Sequence, residues 1–123
     1  MVIDALMAVG AWALSNPLEF LVGDTLFTWV FYVVMCSIKR AYDADRIPKL
    51  LLPLAWISLG FFMVADTLFN AIPGTVFFWQ WPTTVLFTER CKQNKLRSDW
   101  RAVEARLWCS KALNPFDPSG VHC

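Results

Sequence analysis

The longest apolar run of the chain, Leu50 to Trp81, carries a carboxylate at Asp66, and this feature constrains the fold most. Thirty-odd residues of that composition cannot be exposed to water along their length. A charge inside such a run is costly in lipid unless it has a partner, a water-filled cavity or a place near the interface. The setting occurs twice. Val64-Ala65-Asp66-Thr67-Leu68-Phe69 repeats Val22-Gly23-Asp24-Thr25-Leu26-Phe27, which lies 42 residues earlier, with only Gly exchanged for Ala. One structural solution used in both halves is the simplest expectation.

Charge is balanced in total, 11 basic against 10 acidic residues, but unevenly placed. Residues 1–38 hold no Lys or Arg, four basic residues fall in Lys39–Lys49, and the other seven lie between Arg90 and Lys111. Basic residues mark the cytoplasmic side of membrane proteins. A nucleic-acid binder also concentrates basic charge, but it needs no long apolar runs. No nucleic-acid partner is therefore expected. The first residues, Met1-Val2-Ile3-Asp4, lack the basic region that opens a cleavable signal, and a terminal Cys123 is not a prenylation box.

The segments follow from punctuation. Residues 1–15 are apolar except Asp4 and Ser15, and short for a crossing that needs roughly 20 residues. Asn16-Pro17 ends one helix and starts the next. Leu18–Ile38 predicts a transmembrane helix stopped by Lys39-Arg40. Leu50–Ala65 predicts another, with Pro53 tolerated in its first turn. Pro73-Gly74 signals a turn, and Thr75–Thr88 then predicts a further crossing, shortened if Pro82 bends it. Basic segments at both ends of Leu50–Thr88 place both on one side only if the run crosses twice. The expected fold is all-α: a small polytopic membrane protein with three transmembrane helices, or four if residues 1–15 cross first, and a C-terminal amphipathic interfacial helix. Residues 1–89 are the membrane-embedded region, and 90–123 a basic cytoplasmic helix and turn-rich tail.

Ser98 to Leu113 reads as that interfacial helix, with Ser98 as its cap. Trp100, Val103 and Leu107 share one face, bordered by Trp108, and Arg97, Arg101, Arg106 and Lys111 surround it. These residues are the expected contacts to an anionic inner leaflet or a partner. Asp24, Thr25, Asp66, Thr67 and Asn70 are the expected polar contacts within the membrane, where such groups glue helices together at about 1 kcal/mol each. A proton- or cation-handling role for the two Asp residues is the sharper alternative. The four cysteines, Cys36, Cys91, Cys109 and Cys123, lie in or beside segments placed in the cytoplasm, so free thiols and no disulfide are expected. A metal site from Cys91, Cys109, His122 and Cys123 lacks any Cys-x-x-Cys pair. No metal and no cofactor are expected. Nothing in the sequence sets out a Ser-His-Asp constellation, a phosphate loop or a paired-His motif, and no enzymatic activity is expected.

Taken together, Asp66-Thr67-Leu68-Phe69-Asn70, Gly74-Thr75-Val76-Phe77-Phe78, Trp81-Pro82, Leu86-Phe87-Thr88-Glu89-Arg90, Trp100-Arg101 and Asn114-Pro115-Phe116-Asp117-Pro118 with His122-Cys123 resemble small integral membrane proteins encoded by tailed bacteriophages and prophages. The resemblance covers about residues 64–123, and its most specific part is the terminal pattern. It implies a bacterial inner-membrane setting and a phage origin, and no reaction. Two functions fit: a membrane interaction protein that contacts lipid, its own copies or a host envelope protein, as in superinfection exclusion, or a holin-like permeabilising lysis protein. The first is favoured because the turn-rich tail and amphipathic helix suit a defined contact, whereas a holin tail needs only charge.

Overall fold

The computed structural model describes residues 1–123 and is helical throughout, with no strand. Helix α1 spans Val2–Ser15 and α2 spans Pro17–Asp43. They part at Asn16, whose backbone leaves the helical region (φ −132°, ψ 60°) as a residue before proline is driven to do. Asn16 caps α1, its amide and its side-chain Nδ2 both donating to the Trp12 carbonyl. Helix α2 does not stop at Lys39-Arg40. Its last turns are held by Lys39 Nζ donating to Asp43 at 2.7 Å, and the chain turns at Asp45, which takes a left-handed φ of 53°.

After a 3-10 turn at Lys49–Leu51, helix α3 spans Leu52–Ala71 and packs against α2 as an antiparallel hairpin. Pro73 lacks an amide hydrogen, so the helix bends at Ile72 and resumes as α4, Pro73–Phe78. Two helices are thus long and apolar enough to cross a membrane, Pro17–Asp43 and Lys49–Phe78. Helix α1 is apolar but shorter.

The further crossing expected over Thr75–Thr88 does not form as one helix. Trp79 takes a left-handed conformation (φ 45°, ψ 47°) and ends α4. Residues 79–86, with Pro82 among them, run back without regular structure, and α5 (Phe87–Lys95) starts from an extended Leu86. Of the apolar side chains in this stretch, Phe78 and Phe87 fill a core and Phe77 packs on it, while Val76, Trp79, Trp81 and Val85 stay exposed. Phe69, Phe78, Phe87, Cys91, Ala105 and Cys109 bury one another, with Trp108 packed on them. Phe87 sits edge-on to Phe69 and Trp108, at ring separations of 4.8 and 5.2 Å, an arrangement that adds to the burial itself. This core draws on both sides of residue 90.

Helix α6 spans Trp100–Leu107, one residue later than a Ser98 cap predicts. Asp99 caps it, its carboxylate accepting from the Arg101 amide at 3.2 Å. Asp99 wins because the same carboxylate also binds the Arg97 and Arg101 guanidinium groups, at 2.9 and 3.0 Å. The Arg97 bond holds its pKa below the ordinary value. Residues Trp108–Leu113 continue as a π-helical turn, in which the Asn114 amide reaches back five residues to the Cys109 carbonyl. The buried stripe is Ala102, Ala105, Cys109 and Leu113; the small Ala102 and Ala105 face the α5 contact, and Leu113 packs against Tyr32 and Cys36 of α2.

The expectation of four free thiols is corrected by a disulfide between Cys109 and Cys123, Cα atoms 5.5 Å apart. The expectation rested on a cytoplasmic assignment of the tail, whereas the fold turns the chain back at residues 114–120 and brings its last residue onto the π-turn. Cys36 and Cys91 are free and buried. Burial pushes the Cys91 thiol up to about 12.

Candidate functional site

The two copies of the hexapeptide have different roles. Asp66 is buried, and its Oδ2 accepts the Phe87 amide at 3.2 Å. One helical turn later, Asn70 Nδ2 donates to the Thr84 and Val85 carbonyls at 2.6 and 3.1 Å. Asp66 and Asn70 therefore clamp the start of α5 and the strand of chain leading to it. In the first copy Asp24 is half-buried and makes no hydrogen bond through its side chain. The two carboxylates do not pair with each other. Thr25 and Thr67 each bond within their own helix, to the Leu21 and Met63 carbonyls.

Replacing Asp66 by Ala leaves the buried Phe87 amide without an acceptor, a cost of about 1–3 kcal/mol. Asp66→Asn keeps a side-chain oxygen in place and is expected to fold and accumulate like the native chain. Thermal denaturation in detergent checks both: equal melting of the Ala and Asn variants would show that the clamp does not operate.

Beside the clamp lies Arg90, which is 1% exposed. None of its guanidinium nitrogens finds an acceptor within the chain, and desolvation lowers its pKa from the ordinary value. The guanidinium packs against Gly74, and Asn94 Nδ2 bonds the Arg90 carbonyl at 3.0 Å.

The tail closes over this region through a chain of polar contacts. Thr88 Oγ1 lies 2.8 Å from His122 Nε2, and His122 Nδ1 lies 2.7 Å from Asp117 Oδ2. A hydrogen on Nδ1 pointing at the carboxylate leaves Nε2 to accept from the Thr88 hydroxyl. Asn114 Oδ1 accepts the amides of both His122 and Cys123, at 2.8 and 3.0 Å, and Lys95 Nζ donates to the Cys123 carbonyl. On the other side the tail meets α2: Trp29 Nε1 bonds the Ala112 carbonyl at 3.1 Å, Tyr32 Oη the Leu113 carbonyl at 2.8 Å, and Arg40 the Phe116 carbonyl at 2.6 Å.

The sequence reading missed the Thr88–His122–Asp117 line because its members are 34 and 5 residues apart. Its only local signal is Asp117-x-Ser119, whose carboxylate accepts the Ser119 amide at 2.8 Å as Asx turns do. The order hydroxyl, imidazole, carboxylate is that of a base-activated nucleophile. Here the cavity against Thr88 holds only about 30 Å³, room for roughly one water, and both ring nitrogens are engaged in holding the tail. A larger cleft of about 350 Å³ lies between α2 and α3, bordered by Tyr32, Trp56, Asp117 and His122, but Thr88 does not line it. No group of three or more His, Cys, Asp or Glu stands together as a metal site requires.

Burial raises the Asp117 pKa, but the Ser119 hydroxyl and the His122 ring outweigh it and hold the carboxyl at about 2, below its ordinary 3.8. A depressed carboxylate contributes stability above its unfolded pKa and loses it as pH falls through the folded one. The tail is therefore expected to stay docked above pH about 4 and to loosen between about 4 and 2. Amide exchange at His122 and Cys123 across that range checks this, and Asp117→Asn should flatten the dependence.

The outward face of α6 carries the expected apolar residues. Trp100, Val103 and Leu107 are 47, 58 and 55% exposed, and with Trp108 and Ala112 they line a shallow groove. The basic residues around it divide. Arg101 reaches inward to the Phe78 and Trp79 carbonyls at 2.6 and 3.1 Å and ties α6 to the end of α4. Arg97 is engaged with Asp99, and Arg106 contacts the Lys95 carbonyl at 3.4 Å. Lys111 is exposed without a bonded partner.

The long helices carry a further polar feature. Six of the seven serine and threonine hydroxyls in residues 1–78 (Ser15, Thr25, Ser37, Ser58, Thr67 and Thr75) donate to the carbonyl four residues earlier, at 2.7 to 3.0 Å. The seventh, Thr28, is buried. Comparison with protein-family models, with curated proteins and with solved structures gives no match.

Proposed function

We propose that the chain is a membrane-embedded protein that acts without catalysis, by helix association and by contact of the outward α6 face with a partner. The observation that carries the membrane reading is the outer surface of α1, α2 and α3. Apart from Asp4, Glu19 and the charged end of α2 from Lys39 to Asp43 it is apolar, and its serine and threonine hydroxyls are spent on the helices' own carbonyls, the arrangement that an environment without water demands. No residue of α1 is buried within the chain, which leaves lipid or another helix to cover it. The resemblance to phage membrane proteins suggests the bacterial inner membrane as the setting and superinfection exclusion as the outcome.

Expression of the chain in a bacterial host, with a membrane-potential dye and a challenging phage, tests the reading. Normal growth and potential with blocked phage DNA entry is the expected result. Abrupt depolarisation, followed by lysis when an endolysin is supplied, would overturn it in favour of a permeabilising protein. A Trp100→Ser, Leu107→Ser variant is expected to fold, since exposed positions usually shift stability by no more than about 0.5 kcal/mol, and to lose the exclusion phenotype. Retained exclusion would remove the α6 face from the mechanism.

A further inference from the structure

We propose that the α2–α3 hairpin is embedded in one leaflet and does not cross the bilayer, with the 39–49 loop and the whole of residues 79–123 on the same aqueous side. The inference rests on the membrane reading above and is specific about how the lipid is contacted.

The first observation is where the C-terminal part attaches. If α2 and α3 crossed as a hairpin, the 39–49 loop would face one compartment and everything after Phe78 the other. The contacts do not allow that separation. Arg40, beside the loop, donates to the Phe116 carbonyl at 2.6 Å. Trp29, midway along α2, holds the Ala112 carbonyl. At the far end, Arg101 holds the Phe78 and Trp79 carbonyls. Trp29 and Arg40 alone are about 16 Å apart along the helix, at about 1.5 Å per residue. The C-terminal part thus runs along most of the hairpin, a length comparable to a hydrocarbon core of about 30 Å.

The second observation is its charge. Lys111 adjoins Ala112 at the level of Trp29 and is exposed, as are Glu89 and Lys92, paired at 2.8 Å on the outside of α5. A crossing hairpin would carry these groups at lipid depth, where each costs about 2.5–3.5 kcal/mol near the centre.

The third observation is the opposite surface. The side of α2 facing the tail is Thr28, Tyr32, Met35 and Cys36. Val22, Leu26, Val30 and Val34 recur every four residues on the other side and are 46 to 57% exposed. On α3 the buried side is Asp66, Phe69 and Asn70; Leu54, Ile57, Phe61, Val64 and Leu68 form the exposed side. Neither stripe contains a charge. Helix α2 over residues 22–36 and α3 over 64–70 thus have one protein-covered side and one bare apolar side, as helices lying in the interface plane do, while the earlier part of α3 is bare on most sides, with Trp56 and Met63 60 and 41% exposed. The same arrangement puts both basic regions, 39–49 and 90–111, on one side, as the charge distribution asks, although only two helices have the length to cross.

The test compares Asp45→Cys and Ser110→Cys, both exposed positions, each in the otherwise native chain and with the native chain as background. Spheroplasts and inverted membrane vesicles are treated with a membrane-impermeant maleimide. Labelling of both sites from the same side, with carbonate-resistant membrane association, is the expected result. Labelling from opposite sides, or of neither site from either side, overturns the one-leaflet placement. Recovery in the soluble fraction overturns the membrane reading itself. Arg46→Cys and Lys92→Cys form a second pair, so that misfolding of one variant does not decide the outcome.

Discussion

Gly74→Val will detach the C-terminal part from the end of α3. A Cβ at Gly74 would stand 2.9 Å from Arg90 Nη1, 3.2 Å from Phe87 Cδ2 and 3.4 Å from Asn70 Oδ1. All three neighbours are buried, so none can yield into solvent. Arg90 could swing away only by leaving the core, and Asn70 only by releasing the Thr84 and Val85 carbonyls. Overpacking of this kind typically costs 1–3 kcal/mol or somewhat more, and valine adds two further methyl groups to the clash. Gly74→Ala should be milder, because removing glycine from a helix recovers up to about 1 kcal/mol. The readouts are melting in detergent and protease cleavage in residues 79–86. Native-like melting of the valine variant would show that α4 and α5 do not meet as described.

The second large effect concerns the tail. Cys109→Ser, or reduction of the native protein, is expected to release residues 114–123. Cross-linking across 14 residues restricts the unfolded chain by about 3 kcal/mol in the loop-closure account. What remains is the bonding of Asn114 to the His122 and Cys123 amides, the Thr88–His122–Asp117 line, and the contacts with Tyr32 and Arg40. Each of these depends on the tail being in place. The His122 and Cys123 amides should then exchange about a hundredfold faster, since each 1.4 kcal/mol is about tenfold. Exchange in α1 should be unchanged. Equal protection with and without the disulfide would refute the idea that it locks the tail.

Features set by neighbours in the chain were legible beforehand. The break at Asn16-Pro17 follows from the residue-before-proline restriction, and the turn at Ile72–Gly74 from the missing proline amide. The apolar face of α6 was visible in the spacing of Trp100, Val103 and Leu107. The start of α6 was missed by one residue, because two arginines make Asp99 a better acceptor than Ser98. The stretch 75–88 was misread for a general reason: an apolar run has the same composition whether lipid or protein covers it. Phe78 and Phe87 are covered by protein here. Trp79 and Trp81, 80 and 82% exposed, are not.

The repeated hexapeptide marks the boundary between the two kinds of information. Its sequence determined two helices of the same local form, each with a threonine bonded to its own backbone and a carboxylate it cannot satisfy alone. Hydrogen bonds of that short range need only the helix. Which carboxylate finds a partner was decided by the tertiary structure, because the Phe87 amide is supplied by a segment 21 residues away in the chain and comes only to Asp66. The same holds for the disulfide, the buried Arg90 and the Thr88–His122–Asp117 line. All depend on the chain folding back along α2 and α3, a path set by the complementarity of packed surfaces and not by the periodicity of any one of them.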